Sequence, residues 1–330
     1  MLVARPDPVS RVWSGRKVIA EDVQGDDLAD VLQLHADASA WWVLPRGRQE
    51  TGAELRRAAN ELDLDELAIH DLLADDNRAK YEELGQSRLV LTNAVALDHG
   101  TGDLTAHPVS LVVTDRALIC LVDSAAGGLR PSRLLVDHAE QLADGGVERA
   151  LQCVLGALVE GYEDVVEWIE GESDDLANSL FDESPLSRED QVRAFRLRTA
   201  LSGLRRVTDP MRAVLDDLVA AQPPAEADRR WSAIREHHTR VANAADALRE
   251  ALASVLDTSL ALADLRMNGI MKKLTGWAAI IAVPTLVTGF AGMNVGFPLD
   301  GTSTGFWVYL ALMAVAVVVL YVTFRKRDWL

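Results

Sequence analysis

The sequence predicts an α+β domain, a mixed sheet with helices, leading into a long stalk helix and two transmembrane helices. Three observations predict it. Two apolar runs near the C-terminus, residues 274–291 and 305–324, each match the ~20 residues a helix needs to cross a hydrocarbon core. Residues 225–283 hold no proline, so one uninterrupted helix is expected to run from 225 into the first span. Before residue 135, β-branched runs alternate and are bounded by glycines; after 136 these runs vanish and helical spacing takes over.

Taken in order, residues 1–135 read as the α/β domain. Trp41-Trp42-Val43-Leu44 is a strand ended by Pro45, and residues 54–73 carry the apolar spacing of one helix. Residues 88–97 and 109–122 are strand runs, the second split into a hairpin by Thr114-Asp115-Arg116. Residues 136–224 form a helical segment. Its first helix covers 149–180, and Ser184-Pro185 breaks it. Ser187 and Asp190 then make an N-cap pair for a helix to about 221, with a bend expected at Pro210. The stalk is 225–273 and the first span 274–292. A short loop at 293–304 and the second span at 305–324 follow, and residues 325–330 form a basic tail.

Charge and flanks bound the setting. The 330 residues carry a formal net charge of −17 and are 49% hydrophobic. From 274 onward the charges are Asp300, Arg325, Lys326, Arg327 and Asp328, which sum to +1, so the part before carries −18. That excess disfavours nucleic acid as a partner and attracts cations. The two cysteines, Cys120 and Cys153, lie in apolar surroundings without a CxxC, which fits a reducing compartment and excludes a thiolate metal site. The N-terminus lacks an apolar core, so no signal peptide is expected. Arg266, Lys272 and Lys273 precede the first span and Arg325, Lys326 and Arg327 follow the second, while the loop has neither Lys nor Arg. The positive-inside rule then places both flanks in the cytoplasm and the loop outside. No P-loop, nucleophile elbow or dinucleotide fingerprint is present, so neither an enzyme nor an ATP-driven pump is expected.

Two spans and a short loop make a hairpin, which alone encloses no path. Any pore must come from several copies around an axis. With a step near 3.5, Asp257, Asp264, Asn268, Met271, Thr275, Ala278, Ala282, Thr285 and Gly289 share one stripe, which faces the axis of a parallel bundle. The stripe is polar or small rather than greasy and suits a water-filled path. Met271, with Leu274 at its edge, supplies an apolar constriction able to gate by dewetting. Ordinary tight helix contacts in membranes also use small residues, so packing alone is the competing reading. At the outer end stands Gly292-Met293-Asn294. The Asn294 amide oxygen is a neutral hard acceptor, and a ring of such oxygens binds the hydration shell that Mg²⁺ gives up reluctantly. Gly292 is expected to let the backbone turn as the helix ends.

These residues resemble the CorA family of divalent-cation channels, whose signature is Gly-Met-Asn between two C-terminal membrane helices. Val283-Pro-Thr-Leu-Val-Thr-Gly-Phe-Ala-Gly-Met-Asn-Val295 continues the family's pattern, as do Asn268-Gly-Ile-Met271-Lys-Lys-Leu274-Thr275 and the tail ending in Trp329-Leu330. His70-Asp71-Leu72-Leu73 and Arg78-Ala-Lys80-Tyr81-Glu82 resemble the segment leading into its sheet. The resemblance implies a homopentamer with a cytosolic α/β funnel, in the inner or plasma membrane, whose partners are its own copies, the lipid bilayer and divalent cations. It implies passive Mg²⁺ influx, with Co²⁺ or Ni²⁺ as further substrates and no organic cofactor. Asn294 would select hydrated ions, and Asn268, Met271, Leu274 and Thr285 match pore-lining positions. Many members carry Met-Pro-Glu-Leu in the external loop; here it is Phe297-Pro298-Leu299-Asp300, so Asp300 would supply the negative charge. The family's regulatory Mg²⁺ site lies between cytosolic domains. Asp71 matches its funnel position, while the stalk position falls at Ala233 and Glu236 would replace it. Glu170, Asp174 and Asp175 are further acidic candidates. The readings that compete with a Mg²⁺ channel are a Zn²⁺ transporter of the same two-span superfamily and a membrane-anchored sensor that conducts nothing.

Overall fold

The structure, a computed structural model, describes residues 9–23, 25–46, 51–59, 62, 64–74, 78–123, 129, 131–137, 139–180, 185–221, 229–293, 302–327 and 329. The N-terminal part contains seven strands and three short helices: β1 (Ser10–Ser14), β2 (Lys17–Glu21), α1 (Gly25–Leu34), β3 (Ala38–Pro45), α2 (Thr51–Ala59), α3 (Glu66–Leu73), β4 (Lys80–Leu84), β5 (Ser87–Leu97), β6 (Leu104–Val113) and β7 (Ala117–Val122). Helices follow: α4 (Pro131–Asp137), α5 (Ala139–Asn178), α6 (Arg188–Ala220), α7 (Arg229–Ala291) and α8 (Ser303–Lys326).

One sheet orders its strands β2-β1-β3-β7-β6-β5-β4, antiparallel at every pairing except the parallel β3–β7. Both of its faces are covered. On one face Trp42, Leu44, Leu89, Leu91, Ile119 and Leu121 pack with Leu28 of α1, Leu55 of α2 and Ile69 and Leu72 of α3. The other face receives α5 and α6. There the Tyr162 hydroxyl donates to the Asn93 carbonyl, Thr92 Oγ1 donates to Met211 Sδ at 3.2 Å, and Trp41 Nε1 donates to Cys120 Sγ at 3.0 Å. Burial on both faces is why β5 and β7 read as near-continuous apolar runs. It also drives the Cys120 thiol upward and leaves it inert.

The predicted hairpin is present, with β6 and β7 joined across Thr114-Asp115-Arg116. Ser187 caps α6 as expected: its hydroxyl accepts from the Asp190 N–H at 3.1 Å. The single helix expected over 54–73 is instead two. Asp65 restarts the chain as an N-cap, its carboxylate accepting from Leu67 N–H at 2.8 Å, and so satisfies an orphan donor that a continuous helix would not have. Pro210 lies inside α6 without ending it.

The chain divides into two compact units, residues 1–178 with 187–254, and 179–186 with 255–330. In the first, the start of α7 is tied to the other long helices. Trp231 Nε1 donates to Glu148 at 2.9 Å, His237 Nε2 lies 2.8 Å from Glu163, and Arg235 lies 3.6 Å from Asp216. In the second, the Leu186 N–H donates to Ser259 Oγ of α7 at 2.9 Å. There α8 opens on the hydroxyl of Thr302, which accepts from Gly305 N–H at 3.1 Å.

Candidate ion path and carboxylate sites

Helix α7 runs unbroken for 63 residues. Trp231, His238, Ala245, Leu252 and Ser259 stand seven apart and are all buried. Further along, Ile280 and Val287 fall in that same phase and are shielded, as are Gly276 and Val283 four residues before them, whereas Arg266 and Lys273 at the same phase are exposed. A period of seven holds one face of a helix in register, and where that face is packed the opposite face is left open. That open face is the predicted stripe. Asp257, Asp264, Asn268, Met271, Thr275, Ala278, Ala282, Thr285 and Gly289 are all exposed, as is Leu274 at its edge.

Within the second unit, the membrane part of the stripe is a shallow hollow. Ala278, Ala282, Thr285 and Gly289 of the stripe line it together with Ile281, Leu286, Phe290 and Met293. The Thr285 hydroxyl donates to the Ile281 carbonyl at 2.9 Å, which leaves its lone pairs to accept from outside the helix. Pro284 removes the N–H that the Ile280 carbonyl would otherwise receive.

Residues 264–275 are exposed around the whole helix, apart from half-buried Gly269. Leu265 is 67% exposed, Ile270 54% and Leu274 63%. Large apolar side chains held in water on a lone helix call for a covering partner. The two apolar stretches, in α7 and α8, are long enough to span a membrane and only 11% and 6% buried, unlike the core helix of a soluble protein.

At the C-terminal end of α7, Gly292 N–H donates to the Thr288 carbonyl at 2.9 Å and Met293 N–H to Phe290 at 3.2 Å. Helix α7 ends at Ala291, and Gly292 lies in the turn that follows. Its φ is not positive, so it supplies no left-handed turn. A Cβ there would lie 3.2 Å from the Thr288 carbonyl oxygen, a tight contact. Asn294 and Asp300 lie outside the described residues.

The candidate regulatory carboxylates sit apart from one another in the sequence of elements. Asp71, at the end of α3, is held by Lys80 Nζ at 2.7 Å, and Lys80 also donates to Glu82 at 3.0 Å. The lysine hydrogen bond holds the Asp71 carboxyl below its ordinary range, with a smaller contribution from His70. Glu236 is exposed on α7 and lines a groove with Arg212, Arg235, Arg240 and Asp216. Ala233 is exposed on the same helix. Glu170, Asp174 and Asp175 lie on the exposed face of α5, Asp175 at 3.8 Å from Arg193. Among the described residues no three His, Cys, Asp or Glu side chains converge on a point that could hold a metal.

The burial of His238 was not legible in the sequence. His237 and His238 point to different surroundings, as adjacent helical residues must. His237 meets Glu163, whereas His238 is fully buried, edge-on to Tyr162 at 6.4 Å. Burial, reinforced by the Arg212 charge, pushes His238 down to about 4.

An α/β domain continued by a stalk helix and two candidate membrane spans, with a polar stripe along the first, defines a membrane protein of the ion-transporter class. Residues 46–326 match the family described as CorA-like Mg²⁺ transporter protein, and the chain belongs to that family. The family is one of ion transporters rather than enzymes. Among curated relatives, the cobalt/magnesium transport protein CorA of Thermotoga maritima is 25% identical over 309 residues, spanning 92% of this chain and 87% of the relative. That of Methanocaldococcus jannaschii is 42% identical over 83 residues, 25% of this chain and 26% of the relative. Among solved structures, the complete CorA magnesium transporter of Methanocaldococcus jannaschii superposes with a TM-score of 0.76 at 20% identity, over 98% of this chain and 99% of that one. The full-length CmaX protein gives 0.74 at 23% identity, over 98% and 99%. At these identities the superpositions show the shared fold: sheet domain, long helix and two spans.

Proposed function

We propose that the chain is the subunit of a homopentameric channel that admits Mg²⁺ passively, with Co²⁺ and Ni²⁺ as further substrates. It resides in the inner or plasma membrane with both termini in the cytoplasm and the 293–304 loop outside. The observation that carries this reading is the open face of α7, where polar and small side chains continue in one heptad phase from Asp257 to Gly289. Copies arranged about that face would line a wet axis and bury Leu265, Ile270 and Leu274 against one another's flanks. Family membership, and relatives named as cobalt/magnesium transport proteins, support the same substrate class.

The membrane potential suffices as driving force, at ~4.6 kcal/mol per 100 mV for a divalent ion. Asn294 selects the hydrated ion at the outer mouth, and Asp300 raises its local concentration there. Cytosolic Mg²⁺ gates the ring by bridging acids between protomers. At Asp71 it must displace Lys80, and at Glu236 it must compete with the neighbouring arginines. Asn294→Ala tests the site: the variant assembles and reaches the membrane but loses selective Mg²⁺ uptake in proteoliposomes. Full, selective uptake by assembled Asn294→Ala would remove Asn294 from the selectivity role.

A further inference from the structure

A cleft of about 600 Å³ lies between the β5–β6 turn, the C-terminal part of α5 and the first turns of α6, all within the first unit. That volume is in the range of small-molecule sites. Its turn is firmly built. Asp98 Oδ1 accepts from the Gly100 and Thr101 N–H groups at 2.8 and 3.3 Å, and Gly102 N–H donates to the Asp98 carbonyl at 2.7 Å. Gly102 has φ +75, a conformation that suits glycine, and a Cβ there would lie 3.7 Å from Trp168 Cη2.

One end of the cleft is aromatic. His99 and Trp168 meet edge to face with centroids 5.5 Å apart. The other walls are cationic. Arg193 is occupied by Glu172, but Arg188 has no carboxylate partner among the described residues, and Arg196 is engaged only with the Thr101 carbonyl at 3.4 Å. Glu189 is the one remaining acid in the lining, so the uncommitted charge is positive. Arg188, Val192 and Arg196 recur every fourth residue and share one face of α6, with the two arginines ~12 Å apart along the axis. Arg188 stands in the first turn of α6, which Ser187 caps and which also carries Glu189 and Asp190. A ligand that fits has a flat ring at one end and clustered negative charge at the other.

We infer that this cleft binds a nucleoside polyphosphate, with the ring against Trp168 and His99 and the phosphates along Arg196 and Arg188. Guanidinium groups pair with phosphate oxygens through two parallel hydrogen bonds.

The test is isothermal titration of the full-length protein in detergent, with ATP in EDTA-containing buffer, beside adenosine and tripolyphosphate. The expected result is one saturable ATP site per chain. Adenosine and tripolyphosphate should each bind at least about tenfold more weakly, and ATP should weaken about tenfold in Arg188→Gln and in Arg196→Gln. Both arginines are exposed, so these variants fold, and an unchanged melting temperature checks this. Absence of saturable ATP binding up to millimolar concentration would overturn the proposal. So would unchanged affinity in both arginine variants, or tripolyphosphate binding as tightly as ATP.

Discussion

Gly289 separates the fold of the subunit from the work of the path. A Cβ built there meets nothing within 4 Å, so the single chain has room for a side chain. Were the open face of α7 turned to lipid, a valine would be harmless; turned to a narrow axis, it would obstruct. Gly289→Val is therefore expected to insert and assemble normally and to lower Mg²⁺ flux at least about tenfold. Unimpaired flux in the assembled variant would turn this face away from the axis. His238 gives a second prediction at this scale. Its folded value of about 4 lies below the ordinary 6.5, so between these the unfolded chain holds the extra proton. Stability is full above pH 6.5 and is lost as pH falls through that window, by about 3 kcal/mol in all. Arg212 from α6 opposes protonation further, while Asp216 and Asp209 of the same helix favour it. His238→Leu should flatten the fall in melting temperature between pH 6.5 and 4; an equally steep fall would show that His238 does not cause it.

At the scale of elements, legibility followed burial. The strands buried on both faces, β5 and β7, announce themselves as apolar runs, and the absence of proline announces α7. In β1, Ser10 and Arg11 are as buried as Val12, so a short strand with polar buried residues carries no alternating signal. The break between α2 and α3 escaped because the apolar spacing of 54–73 continues across it while one carboxylate, Asp65, resets the helix. The stripe on α7 was legible as a spacing. What spacing could not give was which stretches of the opposite face are shielded, or that Lys80 and four arginines lie beside the candidate acids. Those depend largely on packing between elements. The two faces of α7 predict a pattern of chemical access. Single cysteines at Ala282 and Thr285 should react with a water-soluble thiol reagent and block flux, while one at Ile280, 7% exposed, should not. Equal reactivity at all three positions would contradict a wet path on one side only.

For the whole molecule, the features that need explaining are those a lone chain leaves unmet. A helix exposed on every side between 264 and 275 carries large apolar side chains before it enters the membrane. A chain of net charge −17 that assembles with its own copies multiplies like charge, and divalent cations relieve that repulsion. An assembly around the open face of α7, admitting and sensing divalent cations, meets both demands. The most direct measurement is ion flux in liposomes holding the purified protein, with a potassium-diffusion potential, no pH gradient, and Mg²⁺, Co²⁺, Ni²⁺ or Zn²⁺ outside. Mg²⁺ entry that rises with inside-negative potential and needs no proton gradient is the predicted result. Entry of Zn²⁺ alone, dependence on a pH gradient, or no flux of any ion would contradict it.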